Sequence, residues 1–430
     1  MPYTRCVVAL SPRVVVLTTY YRPLIGGVES NAERLGRFLV GSGCGVTVLT
    51  KRLTADLPDE EVAGGARIVR IGPLGGRAPG GKWRAIPAAA RWLVRHRGQH
   101  DVVCCIDYRG IGCAALLART VSGRAVVFQA QTSGVLSAAN ADAVLERLGI
   151  GPGAWLGRTM KSAVTRLYRR ADAFACISRE IERETLAAGV PAGRVRFLPN
   201  PVDMTQFKPA SPSERQETRR RFGVEDLRLV CVFAGRLSRE KGLMDLLAAW
   251  QRLSASGALG LTPGGVPLLL VAGPDMDGHA WDVGASARAF VEEHDLRDSV
   301  RFLGPQRDVA PLYQAADLAV VPSHFEALGL SAIEALASGV PIVASAVGGL
   351  LDFVRDGVNG ALCPPESPVV LADRLSAMLH DAEYRRRLAS CARSSIEQEY
   401  DERMVFGRFR SLLEELAPGR TRTARPGPGE

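Results

Sequence analysis

Short apolar runs alternate with segments of helical period along most of the chain. In the first half the runs are RVVVLTT (13–19), GVTVLT (45–50), ARIVRI (66–71), DVVCCI (101–106), RAVVFQ (124–129), AFACIS (173–178) and RVRFLP (194–199). Helical spacing lies between several of them, over 28–41, 84–97, 110–120, 155–170 and 179–188. β-branched runs bounded by helices predict buried parallel strands. The rhythm breaks at PNPVDMTQFKPASPS (199–213), which has four prolines and no periodicity and reads as a linker. Strand patterns resume at RLVCVFAG (228–235), PLLLVAG (267–273), SVRFLG (299–304), DLAVVP (317–322), PIVAS (341–345) and GALC (360–363), and helical spacing follows from 367 to about 416. The expected architecture is α/β, with two doubly wound Rossmann-like domains, 1–200 and 201–398. A helix follows at 399–416, then a disordered tail at 417–430. Ligands of such sheets bind beyond the strands' carboxyl ends, so a cleft between the domains is the expected site.

A chain of 430 residues is long for one hydrophobic core, which agrees with two domains. No apolar run reaches the ~20 residues of a membrane-spanning helix. The N-terminal segment CVVALSPRVVVLTTYY is broken by Pro12 and Arg13 and lacks a cleavage pattern, so the expectation is a cytosolic protein. Nine cysteines without a CxxC, and six histidines without HExxH spacing, predict buried free thiols and no metal site. Charge is uneven. Residues 1–190 hold 26 Lys/Arg against 14 Asp/Glu, leaving 28 against 31 of the totals of 54 and 45 for the remainder. A basic half suits an anionic acceptor, an anionic membrane or nucleic acid, or serves solubility alone. Segment 77–97, RAPGGKWRAIPAAARWLVRHR, reads either as an interfacial helix at the inner face of a membrane or as a solvated helix with buried tryptophans. Pro87 interrupts its first part.

Candidate chemistry gathers in three places. In HFEALGLSAIEALASG (324–339), Glu326 falls in the loop after a strand and Glu334 within the following helix. At 1.5 Å per residue they stand on the order of 8–12 Å apart, too far for one acid–base pair. Both border a helix N-terminus that attracts phosphate, so a ligand with a central phosphate and hydroxyls at each end fits. A solvated helix face is the plain alternative for Glu334. AGRLSREKG (234–242) places Arg236 and Lys241 at a strand's carboxyl edge, where a fork and a point charge suit a diphosphate. Gly26 and Gly27, between a strand and a helix, permit close backbone approach to a phosphate or sugar, or form a simple turn. DMD (275–277) resembles a metal motif but reads as a polar loop.

With GGV (26–28), SR (178–179), PNPVD (199–203), AGRLSREKG, AGPD (272–275), VRFLG (300–304), PSHFEALGLSAIEALASGVPIVAS (322–345), the GG after it and DGVNG, the chain resembles retaining GT-B glycosyltransferases of family 4 over residues 13–400. The resemblance implies that Arg236 and Lys241 hold the donor diphosphate and Glu326 the donor sugar, these three being the catalytic candidates. It assigns Glu334 to the ribose, backbone at Ala327, Leu328, Gly329 and Leu330 to sugar and phosphate, and Gly26 and Gly27 to the diphosphate. It also implies a C-terminal helix returning to the N-terminal domain. Where the family often has a histidine near the reacting centre, this chain has FQAQTSG, so Gln129 and Gln131, with Asp107, are the acceptor-side candidates. Glutamine bonds a hydroxyl but is no base near neutral pH. The expected function is transfer of a hexose-type sugar from a nucleoside-diphosphate sugar, UDP favoured, to a hydroxyl on a small molecule, lipid or glycan, without metal or other cofactor. The partners are donor and acceptor, not nucleic acid. A GT-B nucleotide-sugar epimerase and a non-catalytic nucleotide-sugar binder are the rival readings.

Overall fold

The computed structural model describes residues 7–9, 11–24, 26–72, 81–136, 155–225, 227–262, 264–276, 278–417 and 421–423. The chain divides into two compact units, Met1–Pro199 with Val405–Glu430, and Asn200–Met404.

The first unit pairs β1 (Val7–Ala9) antiparallel with β16 (Thr421–Thr423) and builds a sheet of eight strands. These are β2 (Arg13–Thr18), β3 (Gly45–Lys51), β4 (Glu60–Ala63), β5 (Ala66–Ile71), β6 (Val102–Ile106), β7 (Ala125–Gln129), β8 (Ala173–Cys176) and β9 (Val195–Phe197), in the order β4-β5-β3-β2-β6-β7-β8-β9. All neighbours are parallel except β4 and β5. Every residue of β6 is buried, as in a sheet covered on both faces. On one face Val14, Val16, Leu35, Leu39 and Val48 pack with Val405, Phe406, Phe409, Leu412 and Leu413 of the C-terminal helix Glu402–Leu416. Elsewhere in the unit Tyr108 stacks on Phe128 at 4.4 Å, with Tyr168 and Phe174 edge-on to that pair.

The second unit has six parallel strands, β10 (Val230–Ala234), β11 (Leu268–Ala272), β12 (Val300–Gly304), β13 (Leu318–Val321), β14 (Ile342–Ser345) and β15 (Gly360–Cys363), in the order β12-β11-β10-β13-β14-β15. Its core joins Phe233, Leu246, Trp250, Leu269, Val320, Leu375 and Met378. Asp317 ties the sheet's entry: Arg215 and Arg219 each reach its carboxylate at 2.6 Å, and the Val230 amide donates to it at 2.9 Å. In both sheets the first parallel strand of the α/β alternation lies in the middle, so strand order reverses between β2 and β6 and between β10 and β13.

Three features differ from expectation. β4 escapes a search for apolar runs because it is a charged edge strand, EEVA, turned back on β5 by Gly64 and Gly65, both at positive φ. The stretch 199–213 is not a loose linker: the Val202 amide donates to Tyr400 O, Arg393 donates to the carbonyls of Met204 and Phe207, and Ser211 with Glu214 forms a capping box. The helix Gly81–Arg95 runs through Pro87, whose residue is exposed, while 77–80 lie outside the described residues, as do 418–420 and 424–430 of the tail. The described cysteines are all free; Cys44, Cys104, Cys105, Cys176, Cys231 and Cys363 are buried, and burial pushes the Cys104 thiol up to about 12.

Candidate functional site

In the second unit the reversal point joins two loops. After β10 the chain makes a tight turn, Arg239–Lys241, and enters the helix Leu243–Ala255 through Gly242 at φ +68°. A Cβ there would stand 1.9 Å from Pro322 O, so glycine is what lets this turn lie against the exit of β13. After β13 the chain passes Ser323, His324 and Glu326 and enters the helix Leu330–Ala337 through Gly329 at φ +95°. Leu350 and the backbone of Gly349 pack beneath that loop, and Gly349 N–H donates to Glu326 O at 3.0 Å.

These loops bring predicted residues together. Lys241 Nζ donates to Glu326 Oε1 at 2.7 Å, and Ser323 Oγ donates to the same oxygen at 2.9 Å. The Glu326 side chain is only 8% exposed. Arg236 pairs with Glu240 yet keeps half its side chain in solvent. The Glu240 carbonyl accepts from the His324 amide at 2.8 Å, and His324 Nε2 lies 2.5 Å from Asp245 Oδ2. Glu334 sits in the second turn of its helix, half-buried. Burial first, then the Glu334 charge, raises the Tyr313 phenol well above its ordinary range. Ala327, Leu328, Gly329 and Leu330 form the approach to this helix, whose first N–H groups have no intrahelical partner. A phosphate would meet those N–H groups and the positive end of the helix dipole.

The DMD loop does something else. Asp275 is held by both guanidinium nitrogens of Arg288 at 2.9 Å, which keeps its carboxyl below the usual range, and Asp277 lies outside the described residues. Among the described residues no cluster of His, Cys, Asp or Glu could hold a metal ion.

In the first unit the reversal point gathers the remaining candidates. Gly26 is extended, at φ −169°, and Gly27 opens the helix Gly27–Gly41. The Glu29 carboxylate folds back over Gly26, where a Cβ would lie 2.4 Å from Oε2. A pocket lined by Arg22, Leu24, Glu29 and Glu33 adjoins this turn. Asp107 leaves β6 at φ +51° and is gripped by Arg109 at 2.6 and 2.7 Å. Gln129, at the end of β7, is buried rather than displayed, and its Oε1 accepts from Asn31 Nδ2 at 3.3 Å. The Asn31 Oδ1, also buried, has no hydrogen-bond partner among the described residues. Gln131 is half-buried in the loop beyond. Lys51 ends β3 in a buried position, where desolvation, then the charge of Arg84, lowers its pKa.

Sequence spacing missed Ser323, His324, Asp245, Asn31 and Lys51. His324 and Asp245 are 79 residues apart and no local pattern links them. Lys51 alone carried a readable signal, a lysine closing an apolar strand.

Comparison with known proteins gives the same architecture. Residues 25–206 match the model of Glycosyltransferase Family 4, and residues 214–395 that of Glycosyl transferases group 1. A D-inositol 3-phosphate glycosyltransferase of Xylanimonas cellulosilytica is 32% identical over 420 residues, 92% of this chain and 94% of the relative. Another, of Actinosynnema mirum, is 31% identical, over 88% and 92%. Among solved structures, sucrose-phosphate synthase of Thermosynechococcus elongatus superposes with a TM-score of 0.74 at 24% identity, covering 94% of this chain and 99% of that one. Anabaena HepE in complex with UDP superposes at 0.72 and 20% identity, covering 94% and 100%. With two parallel-sheet units each matched by its own family model, the chain belongs to glycosyltransferase family 4 and has the GT-B fold.

Proposed function

We propose that this glycosyltransferase moves a hexose-type sugar from a UDP-sugar to an acceptor hydroxyl with retention at the anomeric carbon. The observation that carries the reading is the Lys241–Glu326 contact at the β10/β13 reversal point, beside the N-terminus of Leu330–Ala337. Cation, carboxylate and helix end there correspond to diphosphate, sugar hydroxyls and phosphate.

In this reading Arg236, Lys241 and the helix N-terminus stabilise the negative charge that grows on the departing diphosphate, the largest electrostatic change of the reaction. Glu326 accepts hydrogen bonds from the transferred sugar and holds it for attack, and Glu334 accepts from the ribose. Backbone at Ala327–Leu330 completes the donor contact. The acceptor oxygen bonds to the anomeric carbon on the face the diphosphate leaves, and the leaving phosphate oxygen takes the acceptor proton. No enzymic nucleophile takes part, and positioning supplies much of the rate. With two cations and a helix end on the phosphates, a divalent ion adds nothing essential.

Lys51 and Arg84 would draw an anionic acceptor to the first unit, where Gln129, Gln131 and Asp107 are the candidates for its recognition. Inositol 3-phosphate, the acceptor in the relatives' name, is therefore the first to test. Purified protein is incubated with UDP-, GDP- and ADP-sugars, with and without acceptor and chelator, and products are read by mass spectrometry. Acceptor-dependent sugar transfer from UDP-sugar that survives chelation supports the reading. Epimerised donor without transfer, or binding without turnover, overturns it.

A further inference from the structure

We propose that His324 is a positioning residue that latches the Glu326 loop onto the Arg236–Lys241 turn. The inference rests on the donor-site reading above and adds to it a group that touches neither diphosphate nor sugar.

Three ties join the two loops. One is Lys241 to Glu326 at 2.7 Å; the other two are made by His324, through its amide to Glu240 O at 2.8 Å and through Nε2 to Asp245 Oδ2 at 2.5 Å. The ties differ in what a donor does to them. A diphosphate competes for Lys241, and sugar hydroxyls compete for Glu326, so that ion pair is partly exchanged whenever substrate binds. The two His324 bonds involve neither Lys241 Nζ nor the Glu326 carboxylate: one ends on the Glu240 carbonyl of the turn and the other on Asp245 in the first turn of Leu243–Ala255, so both survive the exchange. They therefore hold the spacing between diphosphate cations and sugar carboxylate at the moment the direct contact loosens. Asp245 suits the role because a carboxylate in a helix's first turn is already favoured by the dipole, giving the imidazole a fixed acceptor. The Nδ1 side lies 4.0 Å from the exposed Glu366, so a second carboxylate faces the ring there.

The test compares His324→Ala, His324→Gln, Asp245→Ala and the double alanine variant, using kcat, donor KM and Tm on folded protein. Gln carries its amide near the position of Nε2 and can still donate to Asp245. The expected result is a kcat roughly ten- to a hundred-fold lower in His324→Ala, the worth of one charge-assisted bond. Tm should stay near wild type, most of the activity should return in His324→Gln, and the double variant should be no worse than the single ones. A His324→Ala enzyme with wild-type kcat, additive losses, or a Gln variant as impaired as Ala would overturn the latch. A wild type that turns over no nucleotide-sugar overturns the proposed function and the latch with it. An active wild type beside an equally active His324→Ala removes the latch alone.

Discussion

Lys241 Nζ meets Glu326 Oε1 at 2.7 Å, so the cation proposed for the diphosphate and the carboxylate proposed for the sugar are each other's partner. With Glu326 8% and Lys241 22% exposed, the pair is mostly out of water. Removing the cation leaves a buried carboxylate with Ser323 as its remaining side-chain donor. Lys241→Ala should cost about 3 kcal/mol of stability, the scale of a broken buried pair, together with activity. Glu326→Gln should cost far less stability, since the amide still bonds Lys241 and Ser323. Urea unfolding of both variants checks the asymmetry.

The two glutamates separate by kinetic parameter. Ribose bonding changes little on the way to the transition state, so Glu334→Gln should chiefly raise donor KM. Positive charge develops on the transferred sugar, so Glu326→Gln should chiefly lower kcat. A lost charged hydrogen bond is worth roughly 1.5–3 kcal/mol, or about 10- to 150-fold in the affected parameter. Steady-state kinetics with saturating acceptor read both, and full kcat in Glu326→Gln would remove that residue from the reacting sugar.

The strands that set the reversal points were readable because both faces of each sheet are covered, which turns β6 and β10 into unbroken apolar runs. β4 was not, being an edge strand whose Val62 is 75% exposed. The stretch 199–213 lacks periodicity because side chains far along the chain, Arg393 above all, satisfy its backbone. Glu326, Arg236 and Lys241 were legible as residues, each following a strand. Their partners were not: Lys241–Glu326 spans 85 residues, and the burial of Gln129 against Asn31 depends on a helix 98 residues away. A pattern read locally finds which groups lie at a strand's end and is silent on which neutralise one another.

Two glycines set how closely the loops after β10 and β13 approach. Gly242→Ala would drive a Cβ to within 1.9 Å of the Pro322 carbonyl, a backbone atom with no room to yield, and Gly329→Ala would press one 2.5 Å from Leu350 Cδ2. Both positions also hold positive φ. Gly242→Ala should be the more damaging, since a flexible leucine side chain can move more readily than a backbone carbonyl. Thermal melting should place Gly242→Ala below Gly329→Ala, with each at least about 1 kcal/mol below wild type.

The helix Gly81–Arg95 carries exposed Arg84, Arg91 and Arg95 and no acidic residue, and we propose that it makes peripheral contact with anionic membranes. Trp92 is half-buried and stacked on His96 at 4.3 Å, so cations rather than this tryptophan would lead the contact. Co-sedimentation with phosphatidylglycerol-containing vesicles should be strong at low salt and fade as added salt shortens the Debye length, with phosphatidylcholine alone giving none. Absence of binding at low salt removes the membrane role.

His100 should make stability fall in acid. Its ring is buried with Nδ1 against His96 O at 3.1 Å, and burial, joined by the charges of Arg124 and Arg13, lowers its pKa from 6.5 to about 4 against the opposing pull of the His96 carbonyl and Asp101. The unfolded chain binds this proton below about pH 6.5, while the folded protein refuses it until about pH 4. Between those values the unfolded state holds more protons, so stability declines as pH drops and the loss levels off below about pH 4. Each roughly tenfold loss of proton affinity on folding is worth about 1.4 kcal/mol, so the total over this range is on the order of 3 kcal/mol. His100→Asn keeps a donor for the His96 carbonyl and cannot titrate. Urea melts across this range should show a shallower decline for the variant, and identical slopes would place the acid sensitivity elsewhere.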